Sequence, residues 1–413
     1  MDRVRAGQKS KATFYYAGSS LICQGLRFLG IVVSTARLQP DQFGVFATSM
    51  MVLGLAGMAR EFGQNSALLS WTGPQPAYVR THFQLSIWAS FLAMIVLLAV
   101  LSVPGLHDIR PFWPLFLLHI LFEAIASTPM VVAHKKFAFR KLAIIEITAI
   151  SAWLFITIIT VWFYPFVIAL LIAKAGETVI RGSLLLWWQY PALTDGKPTR
   201  ETYNYYLRFA KLLAPKAWIE TFGANLDVLV LRIFTNNFEI GVFDRTMQLL
   251  RVPLSLSVNL IDAVASASYS HEQADSALVN RSLRRFMLVI LAGSLFGVFL
   301  VQIFLWIFAG PIFGGSWKSS IDQLWPWTIP FAVLRPLFWN YNIYFNATGR
   351  PGKLLSSLCL ATFLFLGLGF AAVPFFGVRG LFLALASTNL IAVCFQIRWA
   401  RQSHSKAAKA TKE

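Results

Sequence analysis

The chain has 413 residues, 57% of them hydrophobic and only 13% charged, with a mean hydropathy of +0.61. A soluble protein would be nearer about 45–50% apolar, so a water-soluble globule is excluded and a chain that crosses a membrane many times is expected. The formal net charge of +18 comes in short basic clusters between apolar blocks. That placement points to anionic membrane lipids as partners and away from nucleic acid.

A helix that spans a bilayer needs about 20 mostly apolar residues. The basic start, MDRVRAGQKSK, precedes an apolar stretch without a small-residue cleavage site, and is read as leading into a retained first helix. Apolar blocks then follow at about 12–35, 43–60, 83–104, 112–133, 142–161 and 164–188. The fifth and sixth are separated only near Tyr164 and Pro165. A second set lies at about 210–232, 240–264, 286–309, 323–345, 354–375 and 378–399. The expectation is an all-α polytopic membrane protein of about 12 transmembrane helices, in two six-helix bundles around a central cavity. Its parts are an N-terminal bundle at 1–190, a polar cytoplasmic linker at 191–206, a C-terminal bundle at 207–399 and a basic cytoplasmic tail at 400–413, disordered or resting on headgroups.

Charge placement sets the orientation. Twelve passes put Arg3, Arg5, Lys9, Lys11, Lys135, Lys136, Arg140, Lys141, Arg281, Arg284, Arg285 and the tail on one side. Arg37, Arg110, Arg232, Lys318 and Arg379 fall on the other. Positive charge is retained in the cytoplasm, so both termini are expected there. Cys23, Cys359 and Cys394 all fall inside apolar blocks and give neither a disulfide framework nor a metal spacing. GGSWKSS at 314–320 lacks the spacing of a nucleotide-binding loop. No ATP site, cofactor or catalytic residue is expected, and any active transport would draw on another source such as an H⁺ or Na⁺ gradient.

Function must then reside in the polar groups within the apolar blocks, because a charge in hydrocarbon costs at least about 2–3 kcal/mol and is placed in a polar cavity or paired. Arg27 lies mid-span, three residues after Gln24 on the same helix face. Lys174, Glu177 and Arg181 share a face of the sixth span, where Glu177 can pair with either base; Arg181 is expected to pair or to reach the cytoplasmic interface. In the eighth span Asp244 and Arg251 are seven apart and can share a face, while Arg245 points elsewhere, toward an outer mouth or the interface. Arg335 precedes Pro336 in the tenth, where the missing amide hydrogen opens the backbone. Arg27, Gln24, Lys174, Arg251 and Arg335 are the expected substrate-binding residues. Asp227 and Glu123 are candidates for coupling, with Glu177, Asp244, Arg181 and Arg245 for coupling or gating; Glu146, Glu220 and Asp262 suit gating salt bridges. Several basic side chains fit a diphosphate, since Arg makes bidentate charge-assisted bonds to phosphate oxygens. Trp339, Asn340, Tyr341 and Asn342 read as sugar contacts or as an interface belt.

The chain resembles the polysaccharide biosynthesis protein family of bacterial flippases, within the multidrug/oligosaccharidyl-lipid/polysaccharide exporter superfamily. The resemblance rests on RFLGIVVSTARLQPDQFGVFATSMMVLGLAGMAREFGQNSALL, with Arg37, Leu38, Pro40, Phe43, Gly44, Phe62 and Gly63 at the matching places. NLDVLVLRIFTNNFEIGVFDRTMQLLRVP, NATGRPGKLL and FFGVRGLFLALAST continue it in order; Phe243, where Tyr is common, and Arg379, where small residues are common, depart from it. The resemblance implies alternating access around an often cationic cavity. It implies transfer of an undecaprenyl-diphosphate-linked oligosaccharide from the cytoplasmic to the periplasmic leaflet of the inner membrane. A polysaccharide polymerase or glycosyltransferase would be a further partner. A drug or organic-cation exporter of the same superfamily would want an acidic or apolar cavity. Peptidoglycan-precursor flippases usually carry extra C-terminal spans. A non-transporting scaffold for the synthesis machinery would tolerate loss of the buried bases.

Overall fold

Apolar helices without water around them must satisfy every backbone group internally, and the computed structural model is accordingly helical throughout the described residues, 2–60, 62–73, 76–271, 276–313 and 315–410. In chain order the helices are α1 (Asp2–Thr35), α2 (Pro40–Met58), α3 (Gln64–Ser70), α4 (Pro76–Leu101), α5 (Trp113–Lys135), α6 (Phe139–Phe163), α7 (Val167–Thr194), α8 (Arg200–Phe234), α9 (Asn237–His271), α10 (Ser276–Phe313), α11 (Gly315–Ala347) and α12 (Pro351–Ala410). Every expected span falls on one of them, so the chain is an all-α polytopic membrane protein. Six described segments are long and apolar enough to cross a bilayer on composition alone, the last being Pro351–Gln402. Helices α7, α8, α9 and α11 fall short of that measure and carry many of the charges within the spans, beside Arg27 of α1, Glu123 of α5 and Glu146 of α6. Large apolar side chains face outward, among them Trp88, Phe155, Phe163 and Phe375, as lipid contact requires.

The helices form two compact units, Met1–Asn225 and Leu226–Glu413. In the first, α1 packs on α6, α6 on α7, α7 on α5 and α5 on α4. Small residues permit the close approach: a Cβ on Gly182 would stand 2.8 Å from the Phe122 carbonyl oxygen, and Gly30 lies under the ring of Trp153. The Arg37-to-Gly44 segment is anchored on the α6–α7 turn, with Arg37 4.1 Å over the Trp162 ring and Gln42 Nε2 donating to Pro165 O at 3.1 Å. The short α3 has no counterpart among the expected spans. It follows the left-handed Gly63, and Lys135 of α5 donates to the carbonyls of Leu68 and Trp71 at its end. The polar stretch 191–206 is mostly helix: α7 runs to Thr194 and α8 begins at Arg200. Thr199 and Thr202 exchange backbone-to-hydroxyl bonds there and start α8 early.

In the second unit α9, α10 and α11 pack mutually and α11 packs on α12. Pro326, Pro330 and Pro336 lie inside α11. At 1.5 Å per residue α12 would measure roughly 90 Å, far more than one bilayer. It is two arms meeting at Gly377 (φ 54°, ψ −136°). The arms lie side by side, with Gln396 Nε2 donating to Ser357 Oγ at 2.7 Å and Lys353 5.1 Å over the Trp399 ring. The basic tail from 400, expected to be disordered or to rest on headgroups, continues as helix to Ala410, where Ala and Lys, both strong helix formers, are frequent.

Gly377 occupies a backbone region closed to residues with a Cβ, and an added Cβ would meet Glu239 Oε2 at 2.9 Å. Gly377→Ala is expected to destabilise the protein by about 1–3 kcal/mol, seen as a lower melting temperature in detergent; an unchanged melt would show that the reversal does not depend on glycine.

Candidate functional site

Each unit holds its own set of charges at membrane depth. In the first, α7 presents the stripe expected from its spacing, and Lys174 Nζ bonds Glu177 Oε2 at 2.8 Å. Arg181 does not reach the interface. Its side chain is 13% exposed, its guanidinium pairs with Glu123 of α5, and Nη1 lies 4.0 Å from Glu146 Oε2 of α6. A base so placed is held by partners on two neighbouring helices, which removes the drive to snorkel. Glu123 Oε2 also faces Arg60 Nη2 at 3.9 Å, from the turn after α2. Arg27 of α1 is exposed and forms no hydrogen bond or ion pair among the described residues, though Glu146 and Glu177 feel its charge. Gln24 is half-buried one turn before it.

A cavity of about 450 Å³ opens beside this cluster. Gly54, Gly57 and Arg60 wall it from α2 and its end, His119 and Glu123 from α5, and Glu220 and Thr221 from α8. Glu220 pairs with Lys216 at 3.7 Å. Sequence reasoning passed over Arg60 and His119. Arg60 sits at a span end, where a base looks like an interface residue. His119 gives no pattern, although its four-residue spacing from Glu123 places both on one face.

In the second unit Asp227 of α8 pairs with Arg251 of α9 at 3.6 Å, and the Arg251 side chain is 58% exposed. Asp244 accepts from Gln248 at 2.8 Å and lies 3.6 Å from Arg245. Arg245 is therefore neither at an outer mouth nor at the interface: it is buried at 3% exposure beside its sequence neighbour. The shared face of Asp244 and Arg251 is not used as a pair, because Asp227 takes Arg251. Arg335 is half-buried, 5.5 Å from the Phe338 ring and 5.3 Å from that of Trp339, with no carboxylate at ion-pair distance among the described residues. Asn340, Tyr341 and Asn342 are buried, so they are neither sugar contacts nor an interface belt. Tyr269 donates to Asn340 Oδ1 and Gln396 to Asn342 Oδ1, both at 2.9 Å, tying α11 to α9 and α12. Of that group Trp339 alone is exposed. The side chain of Asp262 lies outside the described residues.

These features define a polytopic membrane protein with charges held deep among its helices. The chain belongs to the polysaccharide biosynthesis protein family, whose sequence model matches residues 35–322. Its fold is shared with a lipid II flippase, MurJ, in an inward closed conformation, at 12% identity and a TM-score of 0.72 over 93% of this chain and 87% of that one. It is shared too with an inward-facing multidrug resistance MATE family transporter of the MOP superfamily, at 15% identity and a TM-score of 0.63 over 94% and 96%. An outward-facing form of such a transporter matches at 15% identity with a TM-score of 0.60 over 97% and 96%. No curated protein is matched by sequence.

Removing one member of a buried pair strands the other. Glu123→Gln is expected to cost about 3 kcal/mol, the low end for such a loss because the pair keeps some solvent access. The double variant with Arg181→Gln should cost less than the sum of the singles. Denaturation of the four proteins in one detergent measures the coupling; additive losses would mean the pair contributes nothing.

Proposed function

We propose that the protein is a flippase that moves undecaprenyl-diphosphate-linked saccharides from the cytoplasmic to the periplasmic leaflet by alternating access, for surface polysaccharide synthesis. The observation that carries this is a surplus of positive charge at depth in each unit. Arg27, Arg60, Lys174 and Arg181 stand against Glu123, Glu146 and Glu177 in the first. Arg245, Arg251 and Arg335 stand against Asp227 and Asp244 in the second. Among the described residues, Arg27 and Arg335 are the bases of these two sets left without a carboxylate at pairing distance. An unmatched guanidinium in hydrocarbon is costly, and ring contacts such as those of Arg335 offset only part of that cost, whereas a diphosphate would match it. Arg27 and Arg335 would hold it, Arg251 would assist from its exposed position, and Lys174 would guide its approach. The family membership supports a saccharide carrier as cargo.

The organic-cation exporter is the rival reading. A cation needs an unmatched carboxylate, and the acids of both clusters already face bases. Glu123, clamped by Arg60 and Arg181, and Asp227, held by Arg251, are the carboxylates whose protonation or Na⁺ binding would release an arginine and couple transport to an ion gradient. The retention of basic clusters in the cytoplasm favours both termini there, in a bacterial inner membrane, where anionic lipids and a polymerase or glycosyltransferase would meet them.

Reconstitution into liposomes with labelled undecaprenyl-diphosphate oligosaccharides tests this. Leaflet transfer should require the protein and fall at least about tenfold in Arg27→Ala and in Arg335→Ala, the loss of one charge-assisted contact, with abundance and melting temperature kept. Full transfer by both variants would remove the cationic seat. Export of organic cations without saccharide transfer would establish the rival.

A further inference from the structure

Besides Arg60, the cavity of the first unit carries an imidazole whose hydrogen-bonding state the neighbouring helix sets. Thr178 Oγ1 lies 3.0 Å from the carbonyl oxygen of Lys174 and 2.9 Å from His119 Nδ1. A carbonyl only accepts, so the one hydroxyl hydrogen of Thr178 is committed to Lys174. The hydroxyl oxygen must then accept from the ring, and Nδ1 carries the hydrogen. An imidazole is uncharged at neutral pH, which leaves a lone pair on Nε2, the ring nitrogen remote from α7. No described residue donates to Nε2, and His119 is part of the cavity wall.

The remaining polar wall groups set one donor, the Arg60 guanidinium, beside the carboxylates of Glu123 and Glu220. Glu123 is matched by Arg60 and Arg181, and Glu220 by Lys216. Thr221 adds a hydroxyl, while the α2 side offers the apolar Met50 and Leu53 beside Gly54 and Gly57. A volume of about 450 Å³ is within the ordinary range for a small-molecule site. Diphosphate oxygens are acceptors themselves and find nothing complementary at Nε2. An organic cation finds no unmatched carboxylate. Hydroxyl and amide hydrogens on an uncharged ring do fit.

We infer that this cavity is a subsite for a sugar of the transported saccharide, and that His119 reads it by accepting a hydroxyl or amide hydrogen at Nε2. This rests on the flippase reading and adds to it a seat for the glycan, distinct from the guanidinium groups that neutralise the diphosphate. His119 is the specificity-determining residue, Thr178 the residue that fixes its tautomer, and Glu123 a second acceptor held in place by Arg60 and Arg181.

The test compares binding of farnesyl diphosphate with that of farnesyl-diphosphate-linked glucose, galactose and N-acetylglucosamine, to the full chain in nanodiscs. Wild type should bind at least one conjugate about tenfold more tightly than the bare diphosphate, the scale of one good net hydrogen bond. His119→Leu should erase that gain and leave the bare diphosphate unaffected. His119→Gln, whose amide oxygen can accept in place of Nε2, should retain most of it, which separates reading from folding. The inference is overturned if no sugar improves binding, or if His119→Leu weakens bare and conjugated probes alike. If wild type binds neither the bare diphosphate nor any conjugate, the flippase reading itself fails and this one goes with it.

Discussion

The cost of a charge in hydrocarbon governs this molecule. Apolar helix faces hold one another weakly in a bilayer, because lipid tails are as apolar as leucine, so apolar contact alone does not fix which helix lies against which. Ionised groups do. Arg181 on α7 cannot stay where it is without Glu123 on α5 and Glu146 on α6, and Glu123 in turn holds Arg60. The same constraint orders the second unit through Asp227 and Arg251. Among the described residues this pairing leaves Arg27 and Arg335 without a carboxylate at pairing distance.

Sequence and structure agree where the physics is local. The apolar blocks of the sequence all fall on helices, and the three-residue spacing of Lys174 and Glu177 foretells their bond. Contacts between distant positions are illegible. Glu123 and Arg181 are 58 residues apart, and no periodicity couples them, so Arg181 reads equally as an interface base. Arg245 misleads for the opposite reason. A base near a span end has a ready outlet to water, yet Asp244 beside it keeps it buried. The asparagines of α11 look like ligands because polar amides are rare in apolar spans, and only the neighbouring helices reveal that Tyr269 and Gln396 use them. His119 is the clearest gap. Its tautomer depends on a threonine on another helix and on that threonine's own backbone bond, an arrangement that no linear pattern encodes.

The residues that carry the family resemblance have a mechanical role. Pro40 opens α2 and needs no amide donor there. Leu38 and Phe43 are buried, and Arg37 and Gln42 fasten the same segment to the α6–α7 turn. Gly63 turns the chain left-handed so that α3 can begin. These positions build the first unit's frame and hold none of its surplus charge.

The prolines of α11 add a last consequence. Pro326, Pro330 and Pro336 each withhold an amide hydrogen from a carbonyl four residues earlier, so the helix lacks rungs at three places along its length. A continuous helix is a stiff rod, while one missing rungs is jointed, because bending at those points breaks no bond that was ever made. Arg335 is mounted at the last joint. The guanidinium can therefore swing with a segment of its helix while α9 and α12, tied to Asn340 and Asn342 just beyond, stay anchored. Compliance and charge are placed together on one helix, with a fixed base behind them.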